Sequence, residues 1–183
     1  MDTDAKNTVK KSAKVVIGIL AVIGALALIY IVMLIINIYK YIHPTPNDNL
    51  TDAERVVLAE EFELEGVTDK ITAAVYTDDC FRVEVKYFET CEEMLDGLEF
   101  SSDGAKNTAL ELLGNLEPDS GAETYKNLYG DEIQVTALSS HDRLFAGEQY
   151  VTIYVFRDED GYGFIAEKGM VINGQALRIA QGR

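Results

Sequence analysis

Apolar and polar positions divide this chain sharply. Val15 to Tyr39 reads VVIGILAVIGALALIYIVMLIINIY, 25 residues without a charge and with Asn37 as its one strongly polar side chain. As a helix the run is about 37 Å long, against about 30 Å for the hydrocarbon core of a bilayer. It is long enough to cross a membrane with some tilt. Its length exceeds the apolar core of a cleavable signal peptide, and no small-residue cleavage site follows it, so the pattern predicts a retained signal-anchor.

Beyond the run the periods shorten. Thr51 to Glu54 (TDAE) has the form of a capping box and predicts a helix to about Glu61, with Ala53, Val56, Val57 and Ala59 or Glu60 inward. Ile71 to Tyr76 is a short apolar run that reads as a strand, and Thr77 to Cys80 (TDDC) reads as a hairpin turn. Phe81, Val83, Val85 and Tyr87 alternate with Arg82, Glu84 and Lys86, which predicts a strand with one core face and one charged, solvated face. A second capping box, Thr90 to Glu93, opens a short helix carrying Met94, Leu95 and Leu98. Ser101 to Gly104 breaks it and starts another, with Ala105, Ala109, Leu112, Leu113 and Leu116 on one side. A third capping box, Ser120 to Glu123, predicts a helix with Ala122, Tyr125, Leu128 and Tyr129 inward, stopped at Gly130.

Period two then returns. Ile133, Val135 and Ala137 mark one strand, Tyr150 to Phe156 a central one, and Phe164 to Ile172 a third, bent at Gly169. Asn173 and Gly174 form a hairpin signal, after which Gln175 to Ile179 is expected to close the sheet. Helices and strands in separate blocks predict an α+β fold: an N-terminal transmembrane helix, then one domain of antiparallel sheet with helices on one face. The expected division is a basic head at 1–14, the span at 15–39, a stem at 40–50 containing Pro44 and Pro46, and the α+β domain at 51–183.

Charge gives the span a direction. Lys6, Lys10, Lys11 and Lys14 precede it, against Asp2 and Asp4, whereas Lys40 and His43 are all that follows before Arg55. The positive-inside rule puts the N-terminus in the cytoplasm and the C-terminal domain outside, with Tyr39 and Tyr41 at the headgroup level. From Thr45 onward 11 Lys and Arg face 29 Asp and Glu, a net of −18. So acidic a body repels phosphate backbones and anionic lipids, which excludes nucleic acid as a partner. Gly18, Ala21 and Ala25 form a small-residue face that lets two helices approach closely, the candidate for self-association.

Candidate chemistry is sparse. Cys80 and Cys91 flank a predicted strand about 26 Å long, too far apart for a disulfide, and are expected unpaired with each other. Glu92 and Glu93 oppose activation of Cys91 at its helix start. Ser139 to Asp142 (SSHD) sets triad residue types side by side, where neighbouring side chains diverge, so His141 is expected to be a loop residue. Asp158, Asp160, Gly161 and Glu167 match part of a calcium loop, but Phe156 occupies the first ligand position and strands flank it, which favours an acidic hairpin turn. The acid pairs Asp78/Asp79, Glu92/Glu93 and Asp131/Glu132 sit at turns and helix starts, where acids serve caps and dipoles. Asn49 to Thr51 is a glycosylation sequon close to the bilayer. Arg143, Leu144 and Phe145 put apolar side chains in a loop and are the candidate partner contact. No catalytic set, cofactor or metal site is expected. The leading expectation is a single-pass protein presenting an acidic interaction or sensing domain to a protein partner in an envelope assembly. The alternatives are a surface hydrolase using two converging carboxylates, and a small subunit whose transmembrane helix assembles in a membrane complex.

Overall fold

The computed structural model describes residues 3–42, 45–77, 80–139, 151–169 and 173–182, and the side chains of all these except 3–17, 40–42 and 139. The chain forms two compact units, Met1–His43 and Pro44–Arg183.

The first unit is one helix, α1 (Thr3–Ile42), which extends beyond the apolar run at both ends. Within it Gly18–Tyr39 is a 22-residue segment long and apolar enough to cross a membrane, and its side chains are exposed. An apolar helix left uncovered in this way has an unfavourable surface in water and a favourable one in lipid.

The second unit contains α2 (Asp52–Phe62), a 3-10 turn (Glu65–Lys70), β1 (Ile71–Thr77), β2 (Cys80–Phe88), α3 (Cys91–Asp96), α4 (Asp103–Leu113), β3 (Glu123–Lys126), β4 (Glu132–Ser139), β5 (Val151–Asp158), β6 (Gly161–Lys168) and α5 (Gly174–Ala180). The strands make one six-stranded sheet in the order β1-β2-β6-β5-β4-β3. All neighbours are antiparallel. The fold is α+β, with the helices on one face of the sheet. Leu58 and Phe62 of α2, Met94 and Leu95 of α3, Ala109 and Leu113 of α4, and Ala176 and Ile179 of α5 share one core with Phe81, Val83, Val85, Val155 and Phe164 of the sheet. Phe62 meets Phe81 edge to face at 4.9 Å. Burying each such ring contributes about 1.5–3 kcal/mol.

The first capping box is complete: the Thr51 hydroxyl accepts from the Glu54 N–H, and the Glu54 carboxylate accepts from the Thr51 N–H at 2.8 Å. The latter bond holds the Glu54 carboxyl below its ordinary pKa. Thr90 and Ser102 cap α3 and α4 through their hydroxyls. The inward faces differ in detail from the pattern. On α2 the buried residues are Leu58, Ala59, Glu61 and Phe62, while Ala53 and Val56 are exposed. On α4 the buried residues are Ala109 and Leu113, Leu116 is buried just beyond its end, and Leu112 faces out.

Two predicted elements are replaced. The third capping box does not form a helix; Glu123–Lys126 is strand β3, paired with β4 from Glu123↔Val135 to Lys126↔Glu132. The Ser120 hydroxyl donates to the Glu117 carbonyl at 2.7 Å instead of accepting from a helix N–H. Gly121 lies so close to the backbone of Val135 that a Cβ there would stand 2.4 Å from its nitrogen, an approach that holds the segment against the sheet. The second replacement is at the C-terminus. Asn173 and Gly174 open no hairpin; the Asn173 side chain accepts from the Gln175 N–H at 2.8 Å and caps α5. Alanine, leucine and arginine favour the helix, and Ala176, Ile179 and Ala180 bury one side of it.

The stem is stitched to the domain from Asn47 onward. Asn47 exchanges backbone bonds of 2.8 and 3.0 Å with Ala74 of β1, and its side-chain amide donates to the Ile179 carbonyl of α5 at 2.9 Å. Pro46 and Leu50 are buried. The β1 edge of the sheet is therefore partly covered by the segment that precedes α2.

Candidate functional site

The face of the sheet opposite the helices is covered, where solvent was expected. On β2, Glu84 is only 3% exposed and Arg82 and Lys86 are half-buried. The cover is the β3–β4 hairpin. Its turn carries Leu128 into a second apolar cluster with Ala73, Val75, Val135, Phe156 and Ile165, edged by Tyr125, Ile133 and Tyr154. Tyr125 lies flat on Tyr154, ring centroids 4.0 Å apart. Asn127 shapes the turn: its side-chain oxygen accepts from the N–H groups of Tyr129 and Asp131, both at 2.9 Å.

Alternation along β2 places Arg82, Glu84 and Lys86 on this covered face, and the β2–β6 register sets Arg82 opposite Glu167. The Arg82 Nε stands 2.9 Å from a Glu167 carboxylate oxygen. This contact is ionic, since the N–H does not point along a hydrogen-bonding line. The Tyr125 hydroxyl donates to the same carboxylate, and the Arg82 guanidinium lies over the Tyr125 ring at 5.6 Å. Along the strand, Glu84 pairs with Lys86 at 3.2 Å and accepts from the Thr72 hydroxyl at 3.0 Å. Lys86 in turn lies over the Phe156 ring at 5.5 Å.

These contacts set the local acidities. Burial, with the Glu167 charge beside it, pushes the Cys80 thiol up to about 11. Burial and its hydrogen bond to Glu167 push the Tyr125 phenol up. Tyr154 rises for the same first reason, with Glu167 adding to it. At neutral pH the thiol and both phenols therefore stay protonated. Arg82 and Lys86 each face a carboxylate, and the bond from Tyr125 to Glu167, with Arg82 over the Tyr125 ring, latches the hairpin onto the sheet.

A third ion pair lies on the helical side. Lys168 and Glu61 are paired with both side chains only 4% exposed. Lys168 also donates to the Glu61 carbonyl at 2.7 Å and lies over the Phe62 ring at 5.2 Å. The Glu61 carboxylate accepts from the Asn173 N–H at 2.9 Å, joining α2, β6 and the start of α5.

The sequence candidates are dispersed. Arg143, Leu144 and Phe145, with Ser140, His141 and Asp142, lie outside the described residues, as do Asp78 and Asp79. Gly18, Ala21 and Ala25 are exposed on α1, and nothing lies within 4 Å of where a Cβ on Gly18 would be. Cys80 and Cys91 are both free thiols, at opposite ends of β2. Asp158 to Gly161 is the β5–β6 turn, with the Asp158 carboxylate accepting from the Asp160 N–H at 2.9 Å. Glu167 is six residues up β6 from Gly161, about 20 Å away in a strand. Among the described residues no group of three or more His, Cys, Asp or Glu could hold a metal ion. Glu93 accepts from the Glu89 N–H at 2.9 Å and pairs with Lys70 at 3.5 Å. Glu132 is the register partner of Lys126.

What sequence reasoning missed is the partnership of Arg82, Glu167, Tyr125 and Tyr154. The signal was the Arg82, Glu84, Lys86 row; a covered charged face demands partners, and Glu167 alternates correctly on β6. Comparison of the chain with protein-family models, with curated proteins and with solved structures yields no match.

Proposed function

We propose that this chain is a single-pass membrane protein that holds a folded acidic domain at the membrane surface, as an interaction or sensing module for a protein partner, with its N-terminus in the cytoplasm and its domain outside. The observation that carries the reading is the uncovered apolar segment Gly18–Tyr39 joined to a domain with its own core. A helix of that length and composition is well matched to lipid. The lysine-rich side of the span supports the orientation. Glu167 and Glu84 on the covered sheet face and Glu54 at the start of α2 are engaged in ion pairs and a cap, as befits a domain built for shape and surface charge.

The test is topology in intact cells. A protease-cleavable tag after Arg183 is cut from outside, a tag before Met1 is cut only after the membrane is opened, and the protein stays in the membrane through alkaline carbonate. Cleavage of the N-terminal tag from outside reverses the orientation. Release by carbonate refutes the anchor.

A further inference from the structure

Polar side chains within Gly18–Tyr39 are Tyr30, Asn37 and, at its end, Tyr39. Tyr30 and Asn37 stand seven residues apart. Seven residues make about two helical turns, so both lie on one side of α1, about 10.5 Å apart along its axis. Met33 and Leu34 stand between them, and with Ile38 these side chains line a shallow hollow on that side of the helix. Tyr30 is 67% exposed, and Asn37 is exposed as well. Among the described residues neither side chain has a hydrogen-bond partner.

Depth gives that lack a cost. Tyr30 lies within about 3 Å of the middle of the segment, so its hydroxyl is far from either headgroup layer. Asn37 lies about 13 Å from the middle, just inside a hydrocarbon half-thickness of about 15 Å. A hydroxyl or amide without a partner is costly there, because no water replaces the missing bonds. Both groups donate and accept, so each can be satisfied by its own copy on a second helix. Copies oriented by the same lysines run parallel. In a parallel pair a seven-residue repeat sets each residue of the seam opposite its copy, and Ile23, Tyr30 and Asn37 keep that repeat.

We propose that the span pairs with a second copy of this chain through its Tyr30–Asn37 side, a reading that rests on the membrane anchor proposed above. Asn37 bonds amide to amide across the seam, and Tyr30 offers its hydroxyl to the facing helix. Met33 and Leu34 pack between the two polar levels. Gly18, Ala21 and Ala25 lie about 120–180° around the helix from Tyr30, so one pair cannot use both this seam and the small-residue face. Like charge on the two domains, net −18 each from Thr45 onward, opposes the pairing and is screened by salt.

The measurement is energy transfer between full chains carrying a donor or an acceptor at the N-terminus. They are mixed in phosphatidylcholine vesicles at about 0.15 M salt, and added lipid dilutes them. Transfer is expected to follow a monomer–dimer curve. Asn37→Leu and Tyr30→Phe should each weaken the pairing about threefold to tenfold. Both make the span more apolar, so insertion survives them. Ala21→Leu combined with Ala25→Leu should leave the curve in place. Transfer no greater than random encounter gives, an unchanged curve in either polar variant, or a curve lost to the two leucines overturns the seam. All are read on protein that alkaline carbonate leaves in the membrane. Protein that carbonate releases refutes the anchor, and this pairing with it.

Discussion

At the scale of single residues, the sharpest energetic consequence belongs to Lys168 and Glu61. Both charges are out of water, and each depends on the other. Removing one partner of a buried pair leaves an uncompensated charge and costs about 3–5 kcal/mol. Lys168→Met should lower the denaturation midpoint by that measure in chemical unfolding. Adding Glu61→Gln should recover a large part of it, because the amide carries no charge and still offers an oxygen to the Asn173 N–H. A double variant no more stable than Lys168→Met would show that lost packing, and not the stranded carboxylate, dominates. Cys80 gives a pH prediction. Its thiol moves from an ordinary 9.0 to about 11 on folding. Between those values the unfolded chain binds fewer protons than the folded one, so stability falls as pH rises through the window. Cys80→Ala should flatten the decline of melting temperature between pH 9 and 11; Cys91, also raised by burial, remains in both proteins. Alkylation of folded Cys80 at pH 8 should be slow, since the thiolate is the reactive form.

At the scale of elements, the β3–β4 hairpin behaves as a cover fixed at one place. Tyr125→Phe keeps the ring on Tyr154 and removes the hydrogen bond to Glu167, a bond to a charged group worth about 1.5–3 kcal/mol. Amide exchange should accelerate across Glu123–Lys126 and the following turn, with little change in β2 and β6, where Arg82 still pairs with Glu167. Uniform acceleration over the whole domain would mean the hairpin is no separate unit. This hairpin also marks where sequence reasoning stopped. The elements whose own residues carry the signal were legible: the Thr51–Glu54 box of α2, the alternation of β2, the caps of α3 and α4. The two that failed are decided by distant partners. A Ser-x-x-Glu pattern at Ser120 became a strand because Gly121 and Glu123 lie against Val135. An Asn-Gly pair became a helix cap because α5 buries Ala176 and Ile179 against the core. The same dependence hid the latch, since Arg82 and Glu167 are 85 positions apart and meet only through the β2–β6 register. Tyr87, expected inward, is exposed beside a bulge between Val85 and Phe88 that leaves no mark in a period-two pattern.

At the scale of the molecule, the division into an apolar helix and a domain with its own core makes the domain's stability a matter of its own burial and its own charge. The net of −18 from Thr45 onward acts against the compact state, because folding brings like charges closer than they stand in the unfolded chain. Salt screens that repulsion, with a Debye length of about 30 Å at 0.01 M and about 10 Å at 0.1 M. Residues 44–183 expressed without α1 should therefore fold in water as a soluble domain, retaining the Asn47 clasp, and should melt at a higher temperature as sodium chloride rises from about 0.01 to 0.1 M. The ion pairs pull the other way, but the buried Glu61–Lys168 pair is shielded from salt and the Arg82–Glu167 and Glu84–Lys86 pairs are partly so. The long-range repulsion thus responds more than the local attractions. A melting temperature that falls with salt would place the balance with the surface pairs. Aggregation of the domain in the absence of α1 would show that its core is completed by the helix, and would refute the independence of the two units.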